Sequence, residues 1–365
     1  MRDFSFKQLI RNKLFQNFGW ITFGQAIQTL LSLIVGALVA RHLGPHGFGM
    51  LGLAATLVSI ATVVANLGLE MVVKKALLDH PSDRKWLLGS AYALKACASF
   101  ICTGILVIFV LPGGLTQLEQ AILFTCGLFL VECGRVVDFW FQSQVQARYS
   151  TWVITGSLLV LSVARILLVW QDAGPTAFAA TCVLYGFSVH IGFLIMYQIR
   201  ERDLFQWRFR LETACSFLRT SWPLIFNSIN VMLYTRVDQV MLASMGGLEQ
   251  VGVYSPATRI MDIVMFIPMA ISSTLFPKIL NSKSSQAQEF YRNNLLRFFR
   301  LNSQMAFALT LALVILGPFM IWTLFGEQYH ASGGILQILA CGCIFKFLIC
   351  ARGQEIGRAS CRERV

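Results

Sequence analysis

Runs of about 20 predominantly apolar residues, enough to cross roughly 30 Å of hydrocarbon as a helix, recur along the chain. They fall at approximately 18–40, 48–70, 87–111, 118–140, 152–170, 176–198, 221–245, 251–277, 302–325 and 333–351. The runs are too long and too continuously apolar for the alternating strands of an outer-membrane barrel. Lipid offers no partner for backbone N–H and C=O groups, so the pattern predicts ten spanning helices and an all-α membrane protein. The first run is span-length rather than the shorter core of a secretory signal, and it is expected to be retained.

Charge alternates between the loops. Arg2, Lys7, Arg11 and Lys13 precede the first run, whereas only Arg41 separates the first from the second. Basic clusters return at Lys74, Lys75, Arg84 and Lys85, at Arg200, Arg202, Arg208, Arg210 and Arg219, and at Lys278, Lys283, Arg292, Arg297 and Arg300. The intervening loops carry Glu119, Asp172, Glu249 or Glu327. The positive-inside bias then predicts a cytoplasmic N-terminus. Composition agrees: 56% of residues are hydrophobic and 13% charged, outside the range of soluble domains. The basic excess behind the net charge of +12 falls on one side of the predicted membrane, so topology rather than nucleic-acid binding explains it.

Of the ten cysteines, Cys97, Cys102, Cys126, Cys133, Cys182, Cys341, Cys343 and Cys350 lie within apolar runs. None forms a C-x-x-C pair or sits at ligand spacing with histidine, and no metal or other cofactor is expected. His190 is expected to be packed and hydrogen-bonded. The end of the chain, "EIGRASCRERV" (355–365), can be read as the translation of a common sequencing-adapter oligonucleotide. The natural protein is therefore expected to be cut at about Gln354, with the remainder an assembly artefact, and no role is assigned to the tail.

An internal repeat is visible. "VARHLGPHGFGMLGLAATL" (39–57) aligns with "LASMGGLEQVGVYSPATRI" (242–260), setting Gly49 against Gly252. Both flanking pairs of spans leave and return to the cytoplasmic side. This predicts two parallel-related bundles, over 1–200 and 221–354, joined by a basic linker at 201–220.

"ARHLGPHGFGMLGLAATLVSIATVVANLGLE" (40–70), "FQSQVQARYSTW" (141–152) and the stretch from "SWPLIFNSINVMLYTRVDQVML" (221–242) to "SSTLFPKI" (272–279) resemble the bacterial O-antigen and polysaccharide flippases. That superfamily also holds multidrug and toxin extrusion proteins and lipid II flippases. The resemblance implies a bacterial inner-membrane protein with six-plus-six spans around a central cavity, so ten spans suggest a member lacking its end.

At 100° per residue, Asn227, Asn230, Tyr234 and Asp238 fall within about 80° of one another on the seventh span. Arg236 lies opposite. On the eighth span Ser255, Arg259 and Asp262 share a face, with Arg259 and Asp262 at pairing distance. The second span presents Ser59, Thr62, Asn66 and Glu70, and the first presents Gln25, Gln28 and Ser32. Lys95 and Arg165 add cations to the third and fifth spans. A charge at mid-span costs about 2.5–3.5 kcal/mol on insertion scales, a cost that a water-filled lumen offsets.

The resemblance implies a polyprenyl-pyrophosphate-linked oligosaccharide as substrate, with the surrounding membrane lipid as the other partner. Arg236, Arg259, Arg165 and Lys95 are the candidates for the diphosphate. Asn227, Asn230, Tyr234, Gln25 and Gln28 would replace water around the sugars. Asp238, Asp262 and Glu70 either pair with these cations or carry a coupling proton or Na+. A cation-coupled multidrug antiporter is the competing reading, but the first span holds no carboxylate of the kind expected in that branch. A membrane-embedded biosynthetic enzyme competes less well: there is no D-x-D, H-E-x-x-H, G-x-S-x-G or P-loop motif. Glu132 and Arg135, at i and i+3, read as a structural pair.

Overall fold

The computed structural model describes residues 13–110, 116–281 and 288–362, with the side chains of 13–16, 18, 266–281, 288–295 and 348–362 outside that description. Among the described residues there is no strand. The α-helices are α1 (Lys13–Asn66), α2 (Leu69–Asp79), α3 (Arg84–Val110), α4 (Gln117–Thr125), α5 (Phe129–Ser143), α6 (Ala147–Trp170), α7 (Pro175–Glu201), α8 (Leu211–Asn281), α9 (Gln288–Phe325) and α10 (His330–Arg362). The expectation about 355–365 concerns side chains outside the described residues.

Six described stretches are long and apolar enough to cross a membrane: Gly19–Asp79, Pro81–Val110, Ala147–Trp170, Pro175–Glu201, Leu296–Phe325 and Glu327–Phe347. The difference from ten has local causes. The first stretch takes in two predicted spans, since α1 only bends between them. A 3₁₀ turn at Cys126–Leu128 divides the predicted 118–140 span into α4 and α5, each shorter than a membrane crossing. The Asn, Arg, Asp and Gln residues of 221–245 dilute its apolarity, and the predicted 251–277 span runs past the last described side chain of that helix.

The bends in α1 and α8 share one backbone solution. Gly44 has φ 66° and ψ 177°, and Gly247 has φ 78° and ψ −176°. This region is essentially reserved for glycine. In the repeat alignment Gly44 and Gly247 are equivalent, and Pro45 after the first break supplies a preset φ for the helix that follows. The packing around them is reciprocal. A Cβ on Gly49 would lie 1.9 Å from the Leu248 carbonyl oxygen, and a Cβ on Gly252 would lie 1.8 Å from that of Pro45. Because Leu248 aligns with Pro45, the same contact is made twice with the roles exchanged.

Two compact units follow, Met1–Gly252 and Val253–Val365. The packing division lies at Gly252, inside the stretch that the sequence assigns to the second bundle, because residues 248–252 pack on 45–49. In the first unit Val136, Val137, Phe139, Phe141, Val189, Phe193 and Tyr197 form one buried cluster. Small residues, Ala54, Ala65, Ala121, Cys126 and Ala179, build another. Small side chains let helices approach closely where lipid gives no hydrophobic drive to associate. A Cβ on Gly186 would sit 2.0 Å from the Gly127 carbonyl oxygen. Outward faces stay apolar, as at Phe100, Ile108, Phe109 and Trp170. In the second unit Ile321, Phe325, Leu336, Ala340 and Phe347 are buried. There Thr310 donates to the Ala340 carbonyl at 3.3 Å and Gln337 to that of Val314 at 2.8 Å.

The 201–210 part of the predicted linker is docked. Arg84 bridges Glu201 and Asp203, the Arg208 N–H donates to the Lys85 carbonyl at 3.2 Å, and the Arg210 N–H donates to Ser90 Oγ at 3.0 Å. Trp207 packs its ring against Tyr92 and Tyr197.

Candidate functional site

Along α5, Glu132, Arg135, Asp138, Phe139 and Gln142 fall within about 120° of one another at 100° per residue. This face meets polar groups from α2 and α3. Lys95 of α3 is fully buried, and its ammonium donates to Glu132 Oε2 at 2.9 Å. The other oxygen, Oε1, accepts from Arg135 at 3.2 Å. Lys95 also stands 4.8 Å from the centroid of the Phe139 ring. One turn further along α3, Ser99 donates to the Phe129 carbonyl at 3.4 Å.

A second branch starts at α2. Leu67 and Gly68 break the helix, so Glu70 stands in the first turn of α2, where the helix dipole favours a carboxylate. Lys74, four residues on, donates to Glu70 at 2.6 Å and to Gln142 Oε1 at 2.6 Å. Gln142 donates in turn to Asp138 Oδ2 at 2.7 Å. Lys74 and Lys95 both face the Phe139 ring, at 5.6 Å and 4.8 Å. Glu70, Glu132 and Asp138 thus accompany Lys74, Lys95 and Arg135, with matched formal charge. Paired and hydrogen-bonded, such groups tolerate burial that isolated ions do not.

The other predicted positions are spread over both units. Gln25 is exposed, and Gln28 donates to Thr155 Oγ1 at 3.1 Å, tying α1 to α6. Arg165 is half-buried between α6 and α7, donating through Nε to Thr181 Oγ1 at 3.1 Å. On α8 Asn227, Asn230 and Tyr234 are exposed on one face of the helix, while Arg236 and Asp238 are half-buried. Asp238 Oδ1 accepts the Gln239 N–H at 2.8 Å. In the second unit Arg259 is half-buried, within electrostatic reach of Tyr329, and Asp262 is exposed.

Lys95, the cation predicted on the third span, has its ammonium on Glu132 inside the bundle, because the i, i+3 pair on α5 places a carboxylate directly opposite it. Sequence reasoning treated Glu132 and Arg135 as an isolated pair and passed over Asp138 and Gln142. The signal that finds them is the shared face of 132, 135, 138, 139 and 142. The buried bond from Thr56 to Gln239, joining α1 to α8, was also missed. Polar residues 183 positions apart carry no periodic signal. His190 accepts or donates at 3.2 Å with the Tyr92 hydroxyl.

Glycine-broken long helices, apolar outer faces and charge balanced inside the bundle define a multi-pass, all-helical membrane protein. The chain belongs to the polysaccharide biosynthesis protein family, whose description it matches over residues 14–283. It is 25% identical over 92% of its length to a Shigella flexneri protein described as an O-antigen transporter, covering 82% of that protein. It is 22% identical to a Haloferax volcanii protein described as a flippase, covering 88% of this chain and 67% of the relative. Among solved structures, an inward-facing multidrug resistance transporter of the MATE family and MOP superfamily aligns with TM-score 0.62 at 16% identity. That alignment covers 90% of this chain and 81% of the other. A MOP superfamily transporter from Pyrococcus furiosus aligns with TM-score 0.55 at 14% identity, over 97% of this chain and 86% of the other. These likenesses give the fold.

Proposed function

We propose that the protein is a flippase that moves a polyprenyl-pyrophosphate-linked oligosaccharide across the bacterial inner membrane by alternating access, with its N-terminus in the cytoplasm. The observation that carries this reading is the polar face of α8, where Asn227, Asn230 and Tyr234 are exposed along one face of the helix. Such groups stand in for water around sugar hydroxyls. The guanidinium groups of Arg236 and Arg259, both half-buried, are each of the kind that gives a diphosphate paired N–H donors. Gln25 and Arg165 are the further contacts we assign to the head group. The isoprenoid tail stays in lipid throughout, so only the polar head must cross. Asp238, Asp262 and Glu70 are the carboxylates assigned to a coupling proton or Na+. Membership of the polysaccharide biosynthesis family supports the substrate class, as do the O-antigen transporter and flippase descriptions of its relatives.

The test is transport of a labelled lipid-linked oligosaccharide by protein reconstituted in vesicles. A hydrogen bond to a charged group contributes about 1.5–3 kcal/mol. Arg236→Ala and Arg259→Ala should therefore each lower the flipping rate by roughly tenfold or more, at unchanged insertion. Full transport by both variants would remove these arginines from the mechanism.

A further inference from the structure

At the end of the first unit where α5 stops and α6 begins, a cavity of about 490 Å³ opens beside Trp20, Gln144, Gln146, Arg148, Arg200 and Glu201. Its floor is the buried ring of Tyr149. Two guanidinium groups stack on that one ring, Arg148 with its Cζ 4.6 Å from the centroid and Arg200 at 4.3 Å. Arg148 also donates to the Tyr149 hydroxyl through one terminal nitrogen, so the ring holds that guanidinium in place while its remaining N–H groups and those of Arg200 stay available. Both arginines are exposed, and neither is ion-paired among the described residues. The acid that lines the cavity does not neutralise them: Glu201 is held by Arg84 and by the Trp140 indole N–H at 3.2 Å.

The surroundings give the depth of the cavity. Trp20 and Trp152, with ring centroids 6.2 Å apart, are both exposed beside it. Indoles collect where headgroups meet hydrocarbon. Asn17 Oδ1 accepts the Ala147 N–H at 2.6 Å, which pins the start of α1 to the first turn of α6.

We propose that this cavity binds the phosphate of an anionic lipid head group, with Arg148 and Arg200, both held at the Tyr149 ring, donating to its oxygens and Gln144 and Gln146 completing the shell. The ligand chemistry is a phosphate on a membrane-anchored chain, supplied either by an acidic phospholipid or by an isoprenoid diphosphate. The site stands apart from the polar face of α8 and requires no transport for its detection.

The experiment is native mass spectrometry of the full chain in detergent, titrated separately with phosphatidylglycerol, phosphatidylcholine and farnesyl diphosphate. Two surface cations facing acidic lipid predict that Arg148→Gln/Arg200→Gln lowers retention of the anionic probe by roughly thirtyfold. Phosphatidylcholine adducts should be unchanged. Arg148→Lys/Arg200→Lys, which keeps the charge and loses the paired fork, should fall between the two. Arg208→Gln, beside Trp86 rather than Tyr149, should bind like the parent and reports on folding. Loss confined to phosphatidylglycerol identifies a phospholipid site, and loss confined to farnesyl diphosphate identifies an isoprenoid diphosphate site. Equal retention of both anions by parent and glutamine variant overturns the proposal, whatever the transport assay gives.

Discussion

Lys95→Met is expected to destabilise the first unit by about 3–5 kcal/mol, the penalty for leaving one partner of a buried ion pair alone. Lys95 is fully buried and Glu132 is 5% exposed, so neither charge has water to fall back on. Removing the ammonium strands a carboxylate that keeps only Arg135, whose side chain is 44% exposed. Glu132→Gln should be equally harmful for the mirror-image reason. The double variant Lys95→Met/Glu132→Gln removes both charges together and should recover most of the loss, since an apolar or neutral replacement of a buried pair is often tolerated. Thermal unfolding of the four proteins in detergent completes the double-mutant cycle. Melting temperatures unchanged in the single variants would mean that the pair is solvated.

Gly252→Ala carries the second large effect. Its new methyl would meet the Pro45 carbonyl oxygen at 1.8 Å, a backbone atom with no rotamer to change. The helices must separate, at about 1–3 kcal/mol or more for an overpacked contact. Gly49→Ala should behave alike, because its methyl would meet the Leu248 carbonyl oxygen at 1.9 Å. Gly247→Ala tests the other half of the turn. No atom lies within 4 Å of its Cβ position, so its loss, about 1–3 kcal/mol, is backbone strain alone. Gly104→Ala is the control: it has open space around it and an ordinary helical backbone. There alanine should be neutral or stabilising by up to about 1 kcal/mol. Fluorescence-detected size-exclusion after a temperature ramp ranks all four. A Gly252→Ala protein that survives as Gly104→Ala does would show that the close approach is absent.

These two sites mark the boundary between what sequence carries and what it does not. Helical periodicity and hydrocarbon thickness are local constraints, so the all-helical membrane class and the repeat around Gly49 and Gly252 can be read directly from the residue order. The reason for that repeat, a reciprocal glycine contact, needs two segments about 200 residues apart to be placed together. The same applies to Lys95. A lysine amid apolar residues suits a lumen or a buried acid equally well by pattern, and its bond to Glu132 from α5 leaves no mark in the residue order of α3. Arg165 likewise meets Thr181 across the α6–α7 turn, which its own helix face does not reveal. The α8 stripe was legible because four polar positions share one face of one helix, whatever lies opposite them.

The central claim is that the polar face of α8 looks onto water that a charged head group can enter. The direct measurement is the reactivity of Asn230→Cys, in a chain whose ten cysteines are replaced, toward a charged, membrane-impermeant thiosulfonate and toward a lipid-soluble maleimide. Ready modification by the charged reagent, slowed by added lipid-linked oligosaccharide, is the predicted result. A thiol that reacts only with the lipid-soluble reagent, and is indifferent to the oligosaccharide, would place that face against hydrocarbon and contradict the account.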